Sequence, residues 1–297
     1  MEAKRVQIDS RKTKVGFVGT GVMGKSMAGH ILDAGYKLFV YTRTKSKAQD
    51  LLDKGAVFLP IDELAKTCDV IITIVGFPKD VEEVYLSENG LVKNANENAI
   101  LIDMTTSPPF LAVKIGEEAM KKGIYFLDAP VSGGDIGAKN AALSIMVGGD
   151  EEIYNSVLPL FNLMGKNVVY QGKTGSGQHT KMCNQIVIAT GMIGVAESLY
   201  YAIKSGLDPE TVLKSIGGGA AGSWSLVNLG PKMLKGDFAP GFYVKHFIKD
   251  MKIALDETVR MGIKLPGLEL ALSLYEELSK MGEENSGTQA IFKLYMK

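Results

Sequence analysis

The ten residues Val15-Gly16-Phe17-Val18-Gly19-Thr20-Gly21-Val22-Met23-Gly24 decide how this chain folds. A short apolar run leads into Gly-x-Gly-x-x-Gly, and an amphipathic stretch, Lys25–Ala34, follows. That order predicts a strand, a tight turn and a helix. Gly19 makes the turn, Gly21 lets the backbone approach a pyrophosphate, and Gly24 lets the helix pack closely on the strand. The helix start offers free N–H groups and a positive dipole end to an anion. Gly19, Thr20, Gly21, Val22, Met23 and Gly24 are therefore candidate dinucleotide contacts.

Working outward, apolar runs recur: KLFVY (37–41), VIITIV (70–75), AILID (99–103), IYFLD (124–128), LSIMV (143–147) and NVVY (167–170). Helical patterns such as Lys25–Ala34 and Pro109–Lys122 lie between them. Strands without a polar side, alternating with helices, predict a mostly parallel sheet covered on both faces. This reads as an α/β Rossmann-type N-terminal domain over 14–174, preceded by a flexible leader at 1–13. After a glycine-rich hinge at Gly172–Gly177 the pattern becomes helical throughout. A long helix is expected over Gln178–Gly206, with others near Pro209–Ile216, His246–Met261 and Gly267–Met281. Gly217–Gly219, Pro231, Pro240–Gly241 and Pro266 are expected to separate these helices. Residues 175–297 are thus expected to form an all-α C-terminal domain, the candidate unit for substrate binding and oligomerisation.

Composition narrows the function. The chain has 297 residues, 46% of them hydrophobic, with 33 basic and 33 acidic side chains and a net charge of zero. A nucleic-acid surface needs a basic excess, so none is expected. Cys68 and Cys183 lack metal-ligand spacing, and His30, His179 and His246 are scattered, so no metal site is expected. The polar start MEAKRVQIDSRKTK has no signal-peptide core. The apolar stretch Ile186–Ala196 is shorter than the roughly 20 residues of a membrane span. A cytoplasmic protein without a membrane partner is expected.

The exit of the second strand bears on the cofactor. Dinucleotide sites that prefer NAD place a carboxylate about 20 residues beyond the glycines to hold the ribose hydroxyls. Here the chain reads Val40-Tyr41-Thr42-Arg43-Thr44-Lys45, with no acid before Asp50. A guanidinium suits a 2′-phosphate, and Thr42 and Thr44 add donors. NADP(H) is expected in preference to NAD(H), with NAD(H) still possible.

Two further strings carry chemistry. Asp128-Ala129-Pro130-Val131-Ser132-Gly133-Gly134 falls at the carboxyl end of a predicted strand, where ligands gather in open sheets. Its Ser132 hydroxyl and the N–H groups of Gly133 and Gly134 suit a small carboxylate substrate. Gly175-Ser176-Gly177-Gln178-His179-Thr180-Lys181-Met182-Cys183-Asn184-Gln185 opens the long helix. Lys181, Asn184 and Gln185 share one face at i, i+3 and i+4. Partial burial and a nearby nicotinamide cation would lower the lysine pKa enough for proton transfer.

Together the glycine loop, the Asp128–Gly134 string and the Gly175–Gln185 string resemble the β-hydroxyacid dehydrogenases. That group includes 3-hydroxyisobutyrate dehydrogenase, tartronate semialdehyde reductase and the glyoxylate/succinic semialdehyde reductases, with 6-phosphogluconate dehydrogenase as a longer relative. The resemblance implies Lys181 as the general acid/base and Ser132, Gly133 and Gly134 as the carboxylate loop. It implies a substrate amide at Asn184 or Gln185, with Gln185 in the pattern of the tartronate semialdehyde branch. It also implies cofactor contacts at Val75, Gly76, Thr106 and Lys249. The apolar length of the 178–206 helix suits packing in a homo-oligomer, dimer or tetramer, and equally an internal domain core. Trp224, Phe242 and Tyr243 are aromatic candidates for a pocket lid, or equally for helical core.

Overall fold

The computed structural model describes residues 8–296. The described residues divide into two compact units, the first ending at Lys181 and the second beginning at Met182. The expected leader at 1–13 lies outside the described residues as far as 7. The remainder forms a turn in which the Thr13 backbone N–H donates to the Asp9 carbonyl, and Ile8 packs on the core.

The first unit is a nine-stranded sheet. β1 (Lys14–Val18), β2 (Lys37–Tyr41), β3 (Val57–Phe58), β4 (Val70–Thr73), β5 (Ile100–Asp103) and β6 (Tyr125–Asp128) run parallel in the order β3-β2-β1-β4-β5-β6. β7 (Val131–Ser132), β8 (Leu143–Gly149) and β9 (Gly165–Gly172) extend it. β8 runs antiparallel to β6 and β7, and β9 lies parallel to β8. Between them lie α1 (Gly24–Asp33), α2 (Gln49–Asp53), α3 (Ile61–Thr67), α4 (Pro78–Leu86), α5 (Leu91–Asn94), α6 (Pro109–Met120), α7 (Gly134–Lys139) and α8 (Glu151–Phe161).

Alternation along each strand explains why the runs look uniformly apolar. Val15 and Phe17, Leu38 and Val40, Val70 and Ile72, and Ile100 and Ile102 belong to one core cluster. Val18, Phe39, Ile71 and Leu101 belong to another. Successive side chains point to opposite faces and both faces are covered, so neither parity is left polar.

The second unit is helical. α9 (Ser176–Lys204) runs on into it and is followed by α10 (Pro209–Gly217), α11 (Trp224–Leu234), α12 (Val244–Met261) and α13 (Pro266–Leu278). Asp208 caps α10 by accepting the N–H groups of Glu210 and Thr211, and Ser223 caps α11 through the Leu226 N–H. Gly262, at φ 68°, ends α12 in the left-handed conformation that glycine adopts without penalty. Pro231, expected to separate helices, instead lies inside α11. Its ring deprives the Val227 carbonyl of an intrahelical donor, and Val227 is exposed, so water can satisfy that group.

α9 is long and apolar enough to cross a membrane by length and composition. Its Ala189, Met192, Ala196 and Leu199 are nevertheless buried in the helical unit's own core with Phe247, Met251 and Tyr275.

Candidate active site

The glycine loop has the geometry that its spacing implies. Gly19 sits at φ 103°, and a Cβ there would fall 2.1 Å from the Ile74 carbonyl oxygen. A Cβ on Gly24 would fall 1.9 Å from the Gly19 carbonyl oxygen, so the helix start can approach the turn only as glycine. At Gly21 a Cβ would meet nothing within 4 Å, which leaves that stretch of backbone open to a ligand. No side chain caps α1 and no acid lies in its first turn, so its dipole end is available to an anion. The Thr20 hydroxyl is buried without a hydrogen-bond partner among the described residues. These features fit a dinucleotide pyrophosphate. Val22 is exposed and Met23 half-buried beside them.

A cleft of about 470 Å³ continues from this loop, lined by Gly19, Tyr41, Thr42, Arg43, Val75 and Asp80 among others. Arg43 Nη1 donates to Asp80 Oδ1 at 3.3 Å. The arginine side chain is 77% exposed and the aspartate 8%. Asp80 Oδ2 accepts the Phe77 N–H at 3.0 Å, which fixes the carboxylate at the start of α4. Thr44 is exposed beyond Arg43, and Gly76 and Thr106 are half-buried. The Val75 N–H donates to Thr105 Oγ1 at 3.0 Å.

Asp128, at the end of β6, organises the start of α9. Its Oδ1 accepts the Gly175 N–H at 2.7 Å and its Oδ2 accepts the Gln178 N–H at 2.8 Å. Burial pushes this carboxyl up to about 7, against the lowering effect of those N–H bonds. Gln178 is fully buried: its Oε1 accepts the Ser107 N–H at 3.0 Å and its Nε2 donates to the Thr105 carbonyl at 2.7 Å. The first turn of α9 is thus bonded to the ends of two strands, and Lys181, 6% exposed, stands one turn further on.

Close packing, and not mainly a need for bending, accounts for two glycines here. A Cβ on Gly177 would lie 2.4 Å from the Met146 carbonyl oxygen and 2.5 Å from that of Asp128. One on Gly148 would lie 2.7 Å from Asp128 Oδ1. Ser132 closes the short β7, paired with Ser144, and Gly133 and Gly134 follow at φ 129° and 63°. Glycine adopts those positive φ values without a Cβ penalty, and they let the loop reverse into α7.

In the helical unit, the two candidate amides differ. Gln185 is 1% exposed, and both ends of its amide are engaged: Oε1 accepts from Asn184 Nδ2 at 2.7 Å and Nε2 donates to Asp250 Oδ2 at 2.6 Å. Asp250 Oδ1 lies 3.1 Å from Lys249 Nζ, so the four residues form one chain of polar contacts. Asn184 is half-buried and keeps its carbonyl oxygen outside that chain. Phe242 packs edge-on against Phe247, and Tyr243 against His246. Trp224, at the start of α11, is exposed. Burial and the nearby Lys249 charge lower the His246 pKa.

Residues 14–172 match the family described as the NAD binding domain of 6-phosphogluconate dehydrogenase. Residues 175–295 match the NAD-binding family of NADP-dependent 3-hydroxyisobutyrate dehydrogenase. The chain belongs to the β-hydroxyacid dehydrogenase family.

Over 287 residues this β-hydroxyacid dehydrogenase is 63% identical to the oxidoreductase YkwC of Bacillus subtilis, covering 96% of the chain and 100% of that protein. It is 50% identical to the probable 3-hydroxyisobutyrate dehydrogenase-like 1 of Arabidopsis thaliana, covering 96% of the chain and 85% of the relative. The solved 3-hydroxyisobutyrate dehydrogenase of Mycobacterium tuberculosis, in a structure with L-serine, superposes with a TM-score of 0.87 at 27% identity. That match covers 95% of this chain and 98% of the other. The protein is an NAD(P)-dependent hydroxyacid dehydrogenase.

Within the dehydrogenase, the first unit gathers the glycine loop, Thr42, Arg43 and Val75 around one cleft and clamps the start of the helix that carries Lys181. The second unit joins Asn184, Gln185 and Lys249 through Asp250. Sequence reasoning passed over Asp80, Gln178 and Asp250. An acid two residues after Pro78 signals a helix start, and Asp250 follows a flagged lysine. Nothing local marks Gln178, whose partners lie 71 and 73 residues away.

Proposed function

We propose that this dehydrogenase prefers NADP(H) and interconverts a small β-hydroxy acid and its semialdehyde, with Lys181 as the general acid/base. The observation that carries the proposal is the buried Lys181 on a helix whose first turn is fixed by Asp128 and Gln178. When bound, the nicotinamide supplies hydride transfer. Lys181 Nζ, in its neutral form, accepts the hydroxyl proton as the carbonyl forms, and in the reverse direction the ammonium returns that proton to the oxygen. A fixed first turn holds the amine in place through both directions, which is how positioning contributes to rate.

Ser132 and the Gly133 and Gly134 N–H groups bind the substrate carboxylate in this reading. Asn184 orients the reacting oxygen, because the Gln185 amide is already committed to Asn184 and Asp250. Gly19 to Gly24 hold the pyrophosphate, and Thr42, Arg43 and Thr44 face the adenosine 2′-phosphate. Val75, Gly76, Thr106 and Lys249 complete the cofactor contacts. Substrates of the 3-hydroxyisobutyrate and tartronate semialdehyde type come first, followed by glyoxylate and succinic semialdehyde. The solved relative with L-serine, itself a β-hydroxy acid, supports that order. A homo-oligomer would use the exposed row Cys183, Val187, Gly191 and Gly194 of α9, and light scattering at a monomer mass would overturn that part.

The test is reduction of a panel of short semialdehydes and keto acids with NADPH and NADH, followed by absorbance, with Lys181→Ala in parallel. Lysine-dependent turnover faster with NADPH bears the proposal out. Turnover that survives in Lys181→Ala, or that favours NADH, overturns the corresponding part.

A further inference from the structure

The exit of β2 carries no acid, yet the fold brings a carboxylate to the same place from 37 residues further along the chain. Arg43 and Asp80 face each other across the cleft that also holds Gly19 and Thr42, and they are unequal partners. Asp80 is nearly buried. Its Oδ2 is bonded to the Phe77 N–H, and the backbone at Gly76 packs so closely that a Cβ there would lie 3.2 Å from that oxygen. Arg43 is mostly exposed and touches Asp80 through a single long contact. The anion is therefore fixed and the cation is free to turn.

We infer that Asp80 is a specificity-determining residue that competes with an adenosine 2′-phosphate for Arg43 and so narrows the preference for NADPH over NADH. The inference rests on the reading of Arg43 as the 2′-phosphate group's partner. A phosphate that reaches Arg43 must share the guanidinium with a carboxylate that cannot withdraw, and the two anions repel. Glu83 lines the same cleft and adds to the negative field, whereas Asp62 and Glu88, also in its lining, are paired with Lys66 and Lys93. A 2′-hydroxyl meets no such penalty, because it donates to a carboxylate as readily as it accepts from a guanidinium. Asp80 thus supplies, from the start of α4, the carboxylate that NAD-preferring sites carry after their second strand.

Asp80→Asn tests this, because asparagine keeps the size and an oxygen for the Phe77 N–H while removing the charge. Dissociation constants of the full-length protein are measured for NADPH and NADH by nucleotide fluorescence, and for 2′,5′-ADP by calorimetry. The expected result is NADPH and 2′,5′-ADP binding tightened by about fivefold, the scale of one partly exposed charge interaction, with NADH unchanged or weaker. An unchanged NADPH-to-NADH ratio, or weaker NADPH binding, overturns the inference. Arg43→Ala in parallel separates the two failures. Equal losses for both cofactors remove the reading of Arg43, whereas a selective NADPH loss with no Asp80→Asn shift removes only the role of Asp80. If Asp80→Asn folds poorly, Asp80→Ser is read by the same ratio, which does not depend on the folded fraction.

Discussion

Asp128 accepts the backbone N–H of Gln178 at 2.8 Å, across 50 residues of chain. With the Gly175 N–H on its other oxygen, this one carboxylate ties the end of β6 to the beginning of α9. The contact serves as a helix cap supplied from a distant strand. Its position explains why the helix that carries Lys181 begins where it does.

Because burial raises the Asp128 carboxyl to about 7, the folded state holds its proton more tightly than the unfolded chain does. The contribution to stability is then fully present below about pH 4 and is lost as pH rises through 7. Between those limits this group lowers stability by about 1.4 kcal/mol per pH unit. Thermal melts from pH 4 to 8 should therefore show Asp128→Asn gaining stability relative to the unmodified protein as pH rises. Parallel curves would mean that Asp128 titrates at its ordinary value.

Lys181→Ala should reduce turnover by about 10²- to 10⁴-fold, the range for a lost general acid/base. Cofactor dissociation constants should stay within about twofold, since in the proposed mechanism the lost group acts on the transferred proton and not on the nucleotide. Steady-state rates and nucleotide fluorescence on the same preparation check both halves. Retention of more than about a tenth of the activity would move proton transfer to another group.

Arg43→Ala should raise the KM for NADPH by about tenfold or more, consistent with loss of a charged hydrogen bond. The KM for NADH should change little, because a ribose hydroxyl draws less on the guanidinium. Equal increases for the two cofactors would contradict the 2′-phosphate assignment.

The two adjacent amides should separate by the kind of damage they cause. Gln185→Ala strips Asp250 Oδ2 of its donor in a buried place and should lower stability by about 1–3 kcal/mol. Asn184→Ala strips the buried Gln185 Oε1 of its donor and should cost stability as well, but it should in addition raise the substrate KM or lower kcat, which Gln185→Ala should not. Urea melts and steady-state kinetics on both variants distinguish them, and the reverse pattern would make Gln185 the substrate amide.

Gly177→Ala places a methyl group 2.4 Å from the Met146 carbonyl oxygen and should cost about 1–3 kcal/mol from overpacking. The substitution also pushes against Asp128, so activity should fall along with stability. A fully stable, fully active variant would show that the helix start can shift freely.

The parallel part of the sheet was legible because its runs are buried on both faces and separated by helical patterns. The direction of β8 was not, since LSIMV reads identically whether it pairs parallel or antiparallel. β3 and β7 have two residues each, too few to show a period. The glycine loop and Lys181 stood out because local spacing marks them. Gln178 and Asp80 matter through partners far along the chain, which no window of sequence displays. Pro231 misled because a proline ends helices on average, whereas here water can take the place of the missing donor.

Lys181 and Asn184 share one uninterrupted helix, three positions apart. Each residue of an α-helix advances about 1.5 Å and turns about 100°. One residue inserted after Lys181 would leave the lysine in place and swing the amide nearly a third of the way round. The spacing therefore works as a gauge block: point substitutions leave it intact, while a change in length of a single residue does not.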